Sequence, residues 1–276
     1  MHVRGQDAGG PEDHFMNRGL KVKIYTRSFD LRLYECSRGL YESMGFPMVR
    51  LTDRTADGYF YSMLEDGDCD IAVNIDEDAF VVDPGAVLDL ITRVVEGGYA
   101  NAGCPDGGND ALPRDGDPTI TNPFFNVLDL RLIRAKFKYS ELRALNDDRE
   151  PYYPFFRWIS ENFNTLYLPA EKHHDGFSTI LKDMEGRVIC QHSWLARFYS
   201  MPSWVVNHFQ PGMGMQKARI DALIDESYAI RGMERPHFSS AANIGFAADR
   251  LLRWAVKIPQ RIARWPQKLK RKLSRP

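Results

Sequence analysis

Asp76, Glu77 and Asp78 form an acidic triplet whose side chains could bind a divalent cation. The triplet directly follows residues 70–75, an apolar, β-rich run typical of a strand buried in a parallel sheet. Because ligands bind beyond the carboxyl ends of strands in open α/β sheets, we expect Asp76 and Asp78 to face a crevice. Two carboxylates can bind Mg²⁺ or Mn²⁺ and leave coordination sites for water and phosphate oxygens. The sequence therefore predicts a metal site suited to a diphosphate leaving group, with the metal as Lewis acid and template.

The Asp-x-Asp pattern alone is weak support, because it also occurs at 66/68, 68/70 and 115/117. Those pairs lie in polar or Gly/Pro-rich segments and are explained as solvated turn residues. An alternative for the triplet itself is a strand end whose acids only cap the helix beginning at Pro84. A calcium loop from Asp66 to Glu77 is a further alternative, but its sixth position is Ile71, where the sharp turn needs glycine.

Strand and helix patterns alternate through residue 105, which predicts an α/β fold with a mostly parallel central sheet. Asp30 is the candidate N-cap of the first helix, Pro84 starts the third, and Gly97-Gly98 ends it. We expect strands at 21–25, 47–51, 70–75, 99–103 and 121–128, and helices at about 31–44, about 57–64 and 84–96. Beyond residue 128 the order of the elements is not predicted.

The composition is that of a folded protein, with 43% hydrophobic and 26% charged residues. The Gly-rich, polar segment 1–18 is predicted to be a disordered leader. We expect residues 19–240 to form the main domain and residues 241–276 to form a separate tail. There is no signal-peptide pattern and no apolar run long enough to span a membrane, so we expect a cytoplasmic protein. The four cysteines form no CxxC pair and are expected to be reduced structural thiols.

The chain resembles the GT-A class of glycosyltransferases over roughly residues 20 to 200. The resemblance rests on residues 26–28 after the first strand, on residues 73–81 around the triplet, and on residues 102–108 leading into 121–126. It implies a single Rossmann-like domain in which the triplet binds Mn²⁺ or Mg²⁺ and a nucleotide-sugar diphosphate. The pattern is similar to that of bacterial enzymes that build surface polysaccharides. The implied partners are a nucleotide-sugar donor and a glycan or lipid-linked acceptor.

The resemblance also implies roles for individual residues. His192, which ends a strand-like run, is implied as the third metal ligand with His174 in reserve, and Asp175 as the general base that deprotonates the acceptor. The candidates for donor binding are Thr26, Arg27, Arg54 and Glu77. The candidates for the sugar or acceptor side are Gly107, Gly108, Asn122, Asn126, His174 and Trp194. For Thr26, Arg27 and Arg54 a plain surface role is an equal alternative, and for Trp194 core packing is the alternative.

Other functions remain open at this stage. The chain has neither the G-x-S-x-G pattern of serine hydrolases nor a P-loop, so neither signature supports hydrolysis. Nucleotidyl transfer onto a sugar phosphate could use the same two carboxylates. A non-catalytic, membrane-associated module with this fold is a third hypothesis.

The C-terminal segment has a charge unlike that of the rest of the chain. Residues 250–276 carry ten lysines or arginines and no acidic residue, against a net charge of −1 for the whole chain. On a helical wheel the apolar residues fall in one sector and the basic residues on another face, although Pro259 and Pro266 would break the helix. This pattern predicts a basic amphipathic segment that binds the inner face of an anionic membrane. Docking on the chain's own acidic domain is the alternative, and nucleic acid is not expected as a partner.

Overall fold

The fold is a mixed α/β structure with two sheets, seen in a computed structural model. The structure describes residues 19–52, 57–142, 150–209, 214–253 and 255. The predicted leader, Arg54, and residues 254 and 256–276 of the predicted tail lie outside the described residues.

The strands are β1 (Val22–Arg27), β2 (Met48–Leu51), β3 (Ile71–Ile75), β4 (Ala79–Val81), β5 (Asn101–Pro105), β6 (Thr121–Asp129), β7 (Thr165–Tyr167), β8 (Ala170–Lys172), β9 (Thr179–Lys182) and β10 (Val188–His192). The helices are α1 (Leu31–Tyr41), α2 (Gly58–Glu65), α3 (Pro84–Gly97), α4 (Leu130–Lys136), α5 (Tyr153–Asn162), α6 (Ser203–Phe209), α7 (Gln216–Ile230) and α8 (240–253).

The central sheet has six strands in the order β2-β1-β3-β6-β5-β7. The pairs β1–β2, β1–β3 and β5–β7 are parallel, and β6 runs antiparallel to both of its neighbours. The predicted mostly parallel α/β fold is therefore confirmed.

Both faces of the central sheet are covered, which explains the continuous apolar run of β3. Because successive side chains of a strand point to opposite faces, Ile71, Val73 and Ile75 pack in one core cluster with α3. Ala72 packs on the other face, in a cluster that contains apolar residues of α2 and α5. The end of β3 is thus held from both sides, and the residues that follow it are placed by a rigid core.

A second sheet, with the order β4-β10-β9-β8, is antiparallel throughout. The sequence predicted only one part of it, the strand-like run that ends at His192 and forms β10. Its strands are three to five residues long, too short for their own periodicity to identify them. This sheet brings the C-terminal half of the domain to the acidic triplet, because β4 begins immediately after Asp78.

The predicted helix signals act as expected in the structure. Asp30 caps α1, since its Oδ1 accepts hydrogen bonds from the amides of Arg32 and Leu33. Asp83 caps α3, which begins at Pro84 and ends at Gly97, and the C-cap residue Gly98 adopts the left-handed conformation. The segment from Ile71 forms β3, so the calcium-loop alternative is wrong.

Helix α8 packs against the main domain. Asp249 is 3.3 Å from Arg50, which lies on the edge strand β2, and Arg250 donates to the carbonyl of Ser200 at 2.9 Å. No helix in the described ranges is both long and apolar enough to cross a membrane. The four cysteines are buried and free, as predicted.

Candidate metal centre

Asp76 and Asp78 lie in the tight turn that joins β3 to β4. The amide of Asp76 donates to the carbonyl of Phe124 at 2.8 Å, which continues the pairing of β3 with β6. The amide of Ala79 then donates to the carbonyl of Asp76 at 2.9 Å and closes the turn. The two carboxylates therefore emerge at the carboxyl end of β3, as the sequence predicts.

His192 reaches the same place from the other sheet. It ends β10 and lies opposite Ala79 of β4, so strand pairing sets its position. Its Nε2 is 3.3 Å from Oδ1 of Asp78. Ser193 fixes Asp78 further, because its amide donates to the Asp78 carbonyl at 2.9 Å and its hydroxyl to Oδ2 at 3.2 Å.

Aromatic rings hold the imidazole of His192. The ring of Phe124 stacks on it with centroids 4.3 Å apart and planes inclined by 9°, and Trp194 contacts it at 4.4 Å. Trp194 and Leu195 both adopt left-handed backbone conformations, with φ of 60° and 62°. Because such conformations cost energy for non-glycine residues and cluster at functional sites, the turn after β10 is a strained part of this centre.

Asp76, Asp78 and His192 together form a set that fits a divalent cation. Each offers one ligand atom, and these atoms lie within 4.8 Å of one another. Asp76 Oδ1 and His192 Nδ1 are buried and have no hydrogen-bond partner among the described residues. Buried polar atoms are normally paired, so the unpaired Oδ1 of Asp76, in a cluster with Asp78 and His192, points to a cation as its partner. Carboxylate oxygens with one imidazole suit Mn²⁺ or Mg²⁺.

The electrostatics of the cluster agree with this interpretation. Burial raises the pKa of Asp76 to about 6, against the opposing effect of Arg27, whose Nη2 is 3.8 Å from Asp76 Oδ2. Burial also acts to raise the pKa of Asp78, but the neighbouring His192 and Ser193 hold it below its usual range. A bound cation would favour the charged form of both carboxylates.

Glu77 points away from the two aspartates. Its Oε2 accepts hydrogen bonds from the amides of Phe29 and Asp30, both at 2.9 Å, in the loop that follows β1. Burial raises the pKa of Glu77 to about 8. The residue thus fixes the loop at the start of α1, and the predicted contact of Glu77 with a donor remains a prediction.

The other residues predicted to bind the nucleotide-sugar donor differ in their surroundings. Arg27 ends β1 beside Asp76, and its guanidinium lies over the rings of Phe29 and Tyr59. Thr26 is buried, and its hydroxyl forms a 2.9 Å hydrogen bond with Tyr41. Arg54 lies outside the described residues. The structure therefore brings Arg27, but not Thr26, to the metal centre.

The glycine-rich loop after β5 folds around a buried carboxylate that the sequence did not single out. Oδ1 of Asp106 accepts hydrogen bonds from Asn122 and Arg114, and its Oδ2 accepts one from Tyr152 at 3.2 Å. The guanidinium of Arg114 lies 5.6 Å from the ring of Trp194, so this network adjoins the metal centre. The only sequence signal for it is the proximity of Asp106 to the predicted loop.

The glycines of this loop are required by close packing. A Cβ on Gly107 would lie 2.6 Å from the backbone of Gly116, and Gly108 has φ of +78°. Asn126 is fully buried within the central sheet, where its side chain bonds to Thr121 at 3.0 Å. The structure does not bring Asn126 to an accessible surface, and the predicted sugar or acceptor contacts of these residues remain predictions.

Asp175 lies in the turn between β8 and β9 with its carboxylate fully engaged. Oδ1 accepts from the amides of Phe177 and Ser178, and Oδ2 from the Ser178 hydroxyl at 2.6 Å and from Arg219 at 3.3 Å. Burial acts to raise the pKa of Asp175, but these donors hold it well below its usual range. A carboxylate so stabilised is a weak base. The geometry therefore disfavours the general-base role, which stays a prediction.

His174 does not join the metal centre around Asp76. Its Nε2 lies 3.6 Å from Glu226 of α7, in a separate group with His173. Of the two predicted alternatives for the third ligand, the structure places His192 beside the aspartates.

The chain matches no protein-family model and no curated protein. It is similar to solved structures at low identity, as the following three illustrate. A glycosyltransferase involved in the glycosylation of the major capsid of PBCV-1 is 9% identical, with a TM-score of 0.34 over 53% of this chain and 82% of that one. Residues 1–349 of TarS from S. aureus are 10% identical, with a TM-score of 0.37 over 85% and 71%. A cytidylyltransferase from Leptospira borgpetersenii is 13% identical, with a TM-score of 0.35 over 79% and 100%. At TM-scores below 0.5 these similarities carry no functional argument.

Proposed function

We propose that this chain is a divalent-metal-dependent glycosyltransferase that moves a sugar from a nucleoside-diphosphate sugar to a glycan or lipid-linked acceptor. The observation that carries the proposal is the convergence of Asp76, Asp78 and His192 at the carboxyl end of β3, where the buried Oδ1 of Asp76 has no hydrogen-bond partner among the described residues. Bound there, Mn²⁺ or Mg²⁺ would neutralise the charge that builds on a departing diphosphate.

The protein's own residues supply the rest of such a site. Arg27 is 3.8 Å from Asp76, and its buried Nε has no hydrogen-bond partner among the described residues. A fixed guanidinium next to a metal site can bind phosphate oxygens of the donor. Glu77 holds the loop after β1 that leads from Arg27 into α1. It therefore fixes the position of Arg27 relative to Asp76 and Asp78.

A thermal-shift experiment with a panel of nucleoside-diphosphate sugars, with and without Mn²⁺, tests the proposal. We expect one sugar nucleotide to raise the Tm only when Mn²⁺ is present, and Asp78→Asn to abolish that part of the shift. Asp115→Asn, at an exposed loop position, is the control that should keep it. An Mn²⁺-dependent shift that survives in Asp78→Asn would contradict the assignment of the metal ligands.

Product analysis separates this function from nucleotidyl transfer by the same carboxylates. Glycosyl transfer releases a nucleoside diphosphate from a sugar nucleotide, whereas nucleotidyl transfer releases pyrophosphate from a nucleoside triphosphate. Absence of any Tm shift with every sugar nucleotide would favour the non-catalytic alternative.

We further propose that the enzyme is cytoplasmic and binds an anionic membrane surface through its C-terminal region. Support comes from the ten basic residues in 250–276 and from α8, on which Ile244, Leu251 and Leu252 are about two-thirds exposed or more. Apolar side chains next to many basic residues suit the interface of an anionic bilayer. A lipid-linked acceptor would be reached from this position.

A further inference from the structure

His173, His174 and Glu226 form a second group of metal-ligand side chains, separate from the centre around Asp76. Nε2 of His173 is 3.1 Å from Oε1 of Glu226, and Nε2 of His174 is 3.6 Å from Oε2 of the same carboxylate. One ligand atom from each residue lies within 4.8 Å of the others. The two histidines belong to the turn between β8 and β9, and Glu226 belongs to α7.

The spacing of these atoms is compatible with one bound cation. Histidine nitrogen and carboxylate oxygen bind Zn²⁺ at about 2.0–2.2 Å in tetrahedral geometry, which places neighbouring ligand atoms about 3.4 Å apart. The two histidines approach different oxygens of Glu226, at 3.1 and 3.6 Å, and one ligand atom from each of the three residues lies within 4.8 Å of the others. Imidazole ligands favour Zn²⁺ over Mg²⁺, so this group differs in metal preference from the carboxylate-rich centre.

Neighbouring residues outside the group contact its ligand side chains and orient them. His173 is buried, and its Nδ1 is 3.3 Å from Oδ1 of Asp175. Gln191 donates to Oε1 of Glu226 at 2.9 Å. Metal-binding histidines commonly donate their other N–H to a carboxylate, which fixes the ring and its tautomer. The amide of Asp175 donates to Nδ1 of His173 at 3.2 Å, so in the cation-free protein Nε2 carries the proton and contacts Glu226. Binding of a cation at Nε2 would require the other tautomer, in which Nδ1–H faces Oδ1 of Asp175.

The charges around the group also favour a cation. Asp175 is paired with Arg219 at 3.3 Å, whereas the carboxylate of Glu226 is contacted by two imidazoles and one amide. His174 is 77% exposed, yet its Nε2 lies close to Glu226 beyond hydrogen-bond distance. One cation would satisfy both imidazoles and the carboxylate at once.

We propose that His173, His174 and Glu226 bind a divalent cation of the Zn²⁺ class, which fastens the β8–β9 turn to α7. Gln191 and His192 are adjacent on β10 and point to opposite faces, so the proposed cation lies behind the strand that carries His192. The second cation would therefore support the first centre without contacting its ligands.

Zn²⁺ binding to the full chain, prepared without a histidine tag, tests this proposal. Asp78→Asn serves as the background, because it weakens the first centre and leaves the second group intact. We expect this variant to bind one equivalent of Zn²⁺ by titration calorimetry, and its Tm to rise with Zn²⁺.

Adding His174→Ala or Glu226→Gln to this background should weaken Zn²⁺ binding at least tenfold and remove the rise in Tm. His174 is exposed and Gln at 226 keeps an acceptor for Gln191, so both variants should fold. Equal Zn²⁺ affinity with and without these changes, or no binding by Asp78→Asn, would overturn the proposal. The result does not depend on glycosyl transfer, because no sugar nucleotide is present.

Discussion

Glu77 accepts a 2.9 Å hydrogen bond from the backbone amide of Asp30, so the residue between the two metal-site aspartates holds the N-cap of α1. The same oxygen accepts from the amide of Phe29. The members of the acidic triplet thus differ in position: Asp76 and Asp78 lie in the candidate metal centre with His192, and Glu77 fixes the neighbouring loop.

Glu77→Ala should lower the free energy of unfolding by about 2 kcal/mol, because two hydrogen bonds to a buried carboxyl group are lost. Glu77→Gln keeps an oxygen acceptor and should lose less than half as much. Urea unfolding followed by circular dichroism measures both, with Glu185→Ala on the surface as control. Equal losses for Ala and Gln would show that these hydrogen bonds do not matter.

His192→Ala should weaken Mn²⁺ binding at least tenfold, whereas His174→Ala should change it less than about twofold. The reason is that His192, and not His174, lies 3.3 Å from Asp78. Titration calorimetry with Mn²⁺ on both variants decides the question. A larger effect of His174→Ala would reverse the assignment of the third ligand.

Arg134→Ala should destabilise the domain by about 3 kcal/mol. Its guanidinium donates to the carbonyls of Met63, Leu64, Asp66 and Cys69 at 2.6–2.9 Å, and so closes the end of α2 and the turn before β3. Arg131→Ala on the same helix is the matched control, because Arg131 is 40% exposed and pairs with Asp129. Urea unfolding should separate the two variants, and a similar loss for both would contradict this role.

Asp175 predicts a specific pH dependence of stability. Its folded pKa is held below the ordinary value, so its contribution is fully present above about pH 4 and is lost as the pH falls through the folded pKa. The stability difference between wild type and Asp175→Asn should therefore be largest near neutral pH and shrink below pH 4. Unfolding curves between pH 7 and 3 measure it, with Asp115→Asn as a control expected to show no such trend.

The paired substitution Leu251→Asp and Leu252→Asp should reduce binding to anionic vesicles, because both side chains are exposed on α8 next to the basic segment. Co-sedimentation with vesicles of phosphatidylserine and phosphatidylcholine measures the loss. Met184→Asp, at an exposed apolar residue between β9 and β10, should bind like wild type. Unchanged binding by the paired variant would argue against α8 as a membrane contact.

The N-terminal half of the fold could be predicted because its signals are local. The strand before Asp76, the cap at Asp30 and the start of α3 at Pro84 each depend on residues within one element. The small sheet could not be predicted, because its short strands gain their identity only from pairing between β4 and β10, more than a hundred residues apart in the chain.

The site was predictable in part for the same reason. Asp76 and Asp78 followed from the strand, and the interest in His192 came from the resemblance. The engaged state of Asp175 was not predicted: Phe177 and Ser178 contact it within its own turn, and Arg219 reaches it from a distant helix. The network of Asp106 and Tyr152 joins residues 46 positions apart and left no pattern in the sequence.

The alternation of β10, with His192 on one face and Gln191 on the other, has a thermodynamic consequence. Suppose that a cation bound to His173, His174 and Glu226 changes the affinity of the Asp76 centre for its metal. Metal bound at the Asp76 centre must then change the affinity of the His173 group for its cation by the same factor. Zn²⁺ titrations in the presence and absence of Mn²⁺ would then report one coupling free energy from either direction. The two cation-binding groups would then be coupled through Gln191 and His192, which are adjacent residues of β10.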